Sequence, residues 1–135
     1  MRHFLGRHKG RFTRFCVVGL SGVLVNEGLL WLFTDMLGIF FLLSSLVAIE
    51  ISILTNFTLN ELWTFRDMRG GREVYTRMYL YNLVALGGLV INLFVLYALT
   101  TTGMHYLIAN LFGIAAAVLW NYFVNYRWTW LGENT

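Results

Sequence analysis

Four apolar stretches, each about as long as a bilayer is thick, limit this chain more than any other feature. They run from about Phe15 to Phe33, Ile39 to Leu59, Met78 to Leu99 and Tyr106 to Tyr126. A helix needs roughly 20 apolar residues to cross the hydrocarbon, and within lipid only helices and closed barrels satisfy their own backbone hydrogen bonds. The breaks are polar and short: Asp35 and Gly38, then "RDMRGGRE", then "TTTGMH". With 58% hydrophobic and 13% charged residues among 135, a soluble globule of this size would leave far too much apolar surface wet. The expectation is an all-α polytopic membrane protein. The apolar stretch after the basic N-terminal arm passes Leu30 without an A-x-A cleavage pattern, so it is expected to be a retained first span.

Charge gives the direction. Arg2, Arg7, Lys9, Arg11 and Arg14 precede the first span, Arg66, Arg69, Arg72 and Arg77 lie between spans two and three, and Arg127 follows span four, so all 10 Lys and Arg fall on one side. The positive-inside rule then predicts cytoplasmic N- and C-termini. In the arm, Phe4, His8, Phe12 and Phe15 recur at helical spacing between cations, which suits an interfacial helix on an anionic leaflet. Because the basic segments are juxtamembrane and obey the topology rule, nucleic acid is not an expected partner. Cys16 has no second cysteine to pair with, and His3, His8 and His105 are unclustered, so no metal or other cofactor is expected. No nucleophile–base grouping or phosphate-cradling glycine loop is present, which argues against an enzyme.

A motif appears twice. "TNFTLNELWTF" at 55–65 and "WNYFVNYRWTW" at 120–130 each place an Asn, a second Asn four residues on, and a Trp-Thr pair three further on. The copies are 65 residues apart, and the same spacing relates Gly22 to Gly87, Gly38 to Gly103 and Leu42 to Leu107. The chain therefore reads as a two-helix unit used twice, about 14–65 and 79–130, forming one transmembrane domain over 1–135. Two spans per unit give both copies the same orientation, as two parallel repeats about an axis along the membrane normal.

On an α-helix, Asn56, Asn60 and Trp63 share one face, as do Asn121, Asn125 and Trp128. One reading makes the amides interhelical glue and Trp63, Trp128 and Trp130 interfacial anchors. The other makes the four amides a polar path for a substrate headgroup. Glu50, near the middle of its span, and Glu27, in the outer half of span one, join that path as candidates. A carboxylate in hydrocarbon is costly unless protonated, paired or facing water. Glu61 continues the Glu50 face, through Leu54 and Phe57, toward an ion pair beside Arg66 or Arg127. By spacing alone, Glu27 corresponds to Asn92 and Glu50 to Ala115. Arg66, Arg69, Arg72, Arg77 and Arg127 are candidates for gripping a phosphate.

The stretches "RFCVVGLSG", "IEISILTNFTLNELWTFRD" and "LWNYFVNYRWTW" resemble the GtrA-like family of small four-span membrane proteins from Arg14 to Trp130. The resemblance implies a role in cell-surface polysaccharide or glycolipid assembly at the cytoplasmic membrane. It implies translocation of a polyprenyl-phosphate-linked sugar or, alternatively, a membrane anchor or scaffold for a polyprenyl-phosphate glycosyltransferase. The expected partners are thus membrane lipids, the lipid-linked sugar and a glycosyltransferase. A homodimer is allowed by close contact at Gly19, Gly22, Gly87 and Gly88. A small proton-coupled multidrug exporter, which also has four spans and an essential Glu in span one, is a third reading; the one-sided charge and doubled Asn motif argue against it.

Overall fold

A computed structural model describes residues 2–131, with side chains from residue 6 onward. The expectations for Arg2, His3 and Phe4 lie outside the described side chains. The described residues are helical and contain no strand: α1 (Arg2–Trp31), α2 (Phe41–Leu59), α3 (Val74–Thr101) and α4 (Tyr106–Val124). π-helical turns extend α1 over Leu32–Met36, α2 over Asn60–Thr64 and α4 over Asn125–Trp130. Four segments are long and apolar enough to cross a membrane: Gly6–Met36, Phe41–Thr64, Val74–Thr101 and Tyr106–Trp130. The protein is an all-helical, multi-pass membrane protein. Leu24, Phe40, Leu46 and Phe94 are each more than two-thirds exposed, the distribution expected when the surrounding solvent is lipid.

The basic arm is not a separate interfacial helix, because α1 runs unbroken from Arg2 to Trp31 over 30 residues. At 1.5 Å per residue that is about 45 Å, beyond the ~30 Å of hydrocarbon. The surplus turns carry the cations past the apolar layer on the same helix.

The chain forms two compact units that meet between Asp67 and Met68. Each is an antiparallel helical hairpin. In the N-terminal hairpin the buried stripe of α2 is Ser44, Ala48 and Ser52, and small side chains let α1 approach closely. Ser52 Oγ donates to the carbonyl of Gly22 at 2.7 Å, and Gly22 has the amide of Asn56 against its bare Cα. In the C-terminal hairpin Ala109 and Gly113 face α3, the Trp120 indole N–H donates to the Val84 carbonyl at 3.0 Å, and Gly88 receives Asn121. Interhelical hydrogen bonds of this kind contribute about 0.6 kcal/mol each on average. Gly22, Gly87 and Gly88 thus take part in contacts inside the hairpins. Gly19 has nothing within 4 Å of where its Cβ would stand.

The connecting turns match. Among the described residues Gly38 (φ 67°) and Gly103 (φ 96°) have positive φ, an arrangement disfavoured for side chains with a Cβ. After α3, Met104 N–H bonds to the Leu99 carbonyl and Gly103 N–H to Thr100, a Schellman closure. After α1, the bonds run from Leu37 to Leu32 and from Ile39 to Phe33, the latter one residue wider than the Met104–Leu99 closure.

That extra residue resolves the register of the repeat. In α2 and α4 the buried positions pair at 65: Ser44 with Ala109, Ala48 with Gly113, Asn60 with Asn125, Thr64 with Thr129 and Phe65 with Trp130. In α1 and α3 they pair at 66: Arg11 with Arg77, Phe15 with Tyr81, Val18 with Val84 and Gly22 with Gly88. The π-turn at Leu32–Met36 absorbs the difference, since an i→i+5 bond holds one more residue than i→i+4. Asn92 therefore corresponds to Asn26, not to Glu27.

Candidate functional site

The doubled motif forms the open end of each hairpin, opposite its connecting turn. Both copies leave the α-helix at their second asparagine: Phe65 N–H bonds back to the Asn60 carbonyl at 2.8 Å and Leu131 N–H to Tyr126 at 3.0 Å. A wider turn sets each residue back, so positions i+4 and i+5, not i+3, fall under the asparagine. Thr64 and Phe65 are buried below Asn60, and Thr129 and Trp130 below Asn125. Trp63 and Trp128 turn outward and are 41% and 43% exposed. The shared Asn-Asn-Trp face expected from α-helical spacing is therefore broken. Trp130 is fully buried rather than an interfacial anchor, packed edge-on against Tyr81 at 6.0 Å.

Each open end also holds a buried arginine from the first helix of its hairpin. Arg11 is 7% exposed; its Nη2 donates to Asp67 Oδ2 at 2.8 Å, and its guanidinium lies 5.8 Å from the Phe65 ring centroid. Phe65 in turn meets Phe15 edge-on at 6.4 Å, the counterpart of the Tyr81–Trp130 pair. Arg77 is 3% exposed, and its Nη1 donates to the carbonyls of Arg69, at 3.0 Å, and Arg72. Arg72 reaches the Trp128 carbonyl through Nε at 3.0 Å. A buried cation is tolerated only with such partners, and the planar guanidinium fork suits them. In the C-terminal hairpin Thr129 Oγ1 donates to Asn125 Oδ1 at 2.8 Å. Glu61 is also buried, although Glu50 and Leu54, on the same expected stripe, are exposed.

Toward the turns the hairpins carry Asn56 and Asn121, one helical turn in from the second asparagines, and, deeper still, Asn92. Their Oδ1 atoms are buried and accept no hydrogen bond among the described residues. Asn56 packs on Gly22, Asn121 on Gly88 and Asn92 on Gly113. Asn26 and Asn56 line one shallow groove of the N-terminal hairpin with Gly19, Gly22 and Ser52.

The carboxylates do not join this ladder. Glu50 lies two residues from both Ala48 and Ser52, on the side of α2 turned away from α1, and is exposed; Glu27 is exposed beside the inward Asn26. Of the candidate phosphate ligands, Arg66, Arg69 and Arg127 are exposed, Arg72 is half-buried and Arg77 is internal. The fixed spacing of 65 concealed Arg11, Asn26 and the aromatic pairs. A search at 66 finds them directly as Arg-x3-aromatic-x2-Val-x3-Gly-x3-Asn, at Arg11 to Asn26 and at Arg77 to Asn92.

Residues 14–130 match the family model described as the GtrA/DPMS transmembrane domain. The chain is similar to a dolichol-phosphate mannosyltransferase of Pyrococcus furiosus, with 46% identity over 120 residues that cover 89% of this chain and 34% of that protein. It thus spans about a third of that relative's length. By a match that takes in both hairpins, both asparagine motifs and the buried Arg77, the chain belongs to the GtrA/DPMS transmembrane-domain family.

Proposed function

We propose that this protein is a non-catalytic membrane subunit in polyprenyl-phosphate sugar metabolism, holding a glycosyltransferase and its lipid carrier at the cytoplasmic membrane. The observation that carries the reading is the 46% identity to one third of a protein named as a dolichol-phosphate mannosyltransferase. A relative that joins such a region to much more chain makes an anchoring role for the region on its own economical. The hairpins fit this role: their amides fill helix contacts against Gly22, Gly88 and Gly113, and Glu27 and Glu50 stand outside that contact. The termini and the exposed Arg66, Arg69 and Arg127 face the cytoplasm in this reading, where a soluble transferase and an anionic leaflet would meet them.

Translocation of the lipid-linked sugar is the second reading, favoured by the buried acceptors of Asn56, Asn92 and Asn121 that have no partner among the described residues. One experiment separates the two. Purified protein is reconstituted in liposomes, and transbilayer movement of a short-chain polyprenyl-phosphate sugar is followed for wild type, Glu50→Gln and Asn60→Ala/Asn125→Ala. In parallel, affinity-purified protein from native membranes is assayed for co-purifying polyprenyl-phosphate glycosyltransferase activity. Anchoring predicts activity in the pull-down and no protein-dependent movement. Movement that fails in the folded Asn variants, with no transferase recovered, would overturn anchoring in favour of translocation.

A further inference from the structure

The two hairpins differ at one equivalent place on their flanks. In the C-terminal hairpin the Trp120 indole lies on Gly87, where a Cβ would sit 2.8 Å from Nε1, and its N–H reaches the Val84 carbonyl. In the registers found above, Gly87 corresponds to Ser21, Trp120 to Thr55 and Val84 to Val18. The N-terminal hairpin has no indole there. Ser21 Oγ instead donates to the Val18 carbonyl at 2.6 Å, and the vacant position is a groove of about 490 Å³ lined by Ser21, Val25, Ile51, Leu54, Thr55 and Thr58 among others.

The groove makes no polar demand. Thr55 Oγ1 donates to the Ser52 carbonyl at 2.9 Å and Thr58 Oγ1 to Leu54 at 2.8 Å, so these hydroxyls are satisfied by their own helix. Branched aliphatic side chains supply the rest of the wall. Toward the open end of the hairpin, Arg14 stands seven residues before Ser21, two turns along the same face of α1. The Arg14 Nε is buried and makes no hydrogen bond among the described residues. A branched apolar slot that ends below a cation complements a methyl-branched chain bearing an anionic head.

We infer that the Ser21–Thr55 groove of the N-terminal hairpin seats the prenyl chain of a polyprenyl phosphate, with the phosphate drawn toward Arg14, while Trp120 closes the equivalent place in the C-terminal hairpin. The occupant's class rests on the function proposed above; the groove and its closed counterpart do not.

The test is photolabelling of the full chain in nanodiscs. The probes are a short polyprenyl phosphate with a diazirine on an internal isoprene unit and, for comparison, a diazirine-bearing phosphatidylglycerol. Labelled peptides are mapped by mass spectrometry. The polyprenyl probe is expected to label Ser21–Thr58 in wild type and the phospholipid to do so weakly. Ser21→Gly/Thr55→Trp copies the C-terminal closure, and Thr58→Phe copies Phe123; each should cut that labelling about fivefold or more. Trp120→Thr should open the C-terminal counterpart and add label there, which gives a gain that misfolding cannot mimic. Equal labelling by both probes, or labelling unchanged by both plugs, would overturn the groove assignment. Polyprenyl-specific labelling elsewhere in the chain would sink the groove and spare the proposed function. No polyprenyl-specific labelling anywhere would sink both.

Discussion

Gly113→Ala tests the claim that each hairpin is held by close approach at small residues. A Cβ on Gly113 would stand 2.8 Å from the backbone oxygen of Asn92 and would also meet its side-chain amide. A comfortable carbon–oxygen contact begins near ~3.3 Å, so α3 and α4 must part by about half an ångström. The side chain of Asn92 can swing aside, but its backbone cannot. Overpacking of this kind costs about 1–3 kcal/mol, and a gap of that width forfeits roughly a quarter of the neighbouring dispersion contacts. Alanine recovers up to ~1 kcal/mol of helix propensity over glycine. The net expectation is a loss of about 1–2 kcal/mol, five- to thirtyfold in the folding equilibrium. Gly19→Ala is the control, since nothing lies within 4 Å of the added methyl, and it should be neutral or slightly stabilising. The assay is reversible unfolding in mixed micelles by SDS titration, followed by tryptophan fluorescence. If Gly113→Ala matches or exceeds wild-type stability while Gly19→Ala behaves as stated, the close-approach argument is refuted.

Three further outcomes follow from the same geometry. Thr129→Val keeps the shape but removes the buried donor to Asn125 Oδ1, and should cost about 1–3 kcal/mol in the same unfolding assay. Arg77→Met removes the guanidinium that bonds the Arg69 and Arg72 carbonyls; limited trypsin digestion should then cut the 69–72 segment several times faster, and an unchanged rate would show that the loop holds without it. Gly38→Ala and Gly103→Ala each force a Cβ into positive φ, at about 1–2 kcal/mol apiece. Because they lie in different hairpins, their effects on the unfolding midpoint should add.

Much of the candidate site is legible in the chain itself, though in an altered register. Asn56, Asn60, Asn121 and Asn125 stood out because amides are rare in apolar spans, and they do form the inner ladder of the hairpins. Arg11 was hidden among the topology cations, and only its burial and its contacts with Asp67 and Phe65 distinguish it. Trp130 looked like an interfacial ring by type and position, yet the π-turn carries it inward. Glu50 drew notice as a mid-span acid, but sequence spacing does not say which side of α2 meets α1.

The chain alone determined the number of spans and placed their ends near the observed ones, except that the first span begins at Gly6 rather than Phe15; it also marked the doubling of the hairpin. These follow from transfer free energy and backbone satisfaction, which depend on composition over some 20 residues rather than on neighbours in space. Tertiary structure decided which side chains face inward. One extra residue before Gly38 is taken up by a π-turn, and further π-turns at Asn60 and Asn125 rotate everything beyond them. A turn closed at i+5 instead of i+4 is rare and has no local advantage, so the choice is made by packing: by where Phe65 meets Phe15, where Trp130 meets Tyr81, and where Arg11 and Arg77 find their acceptors.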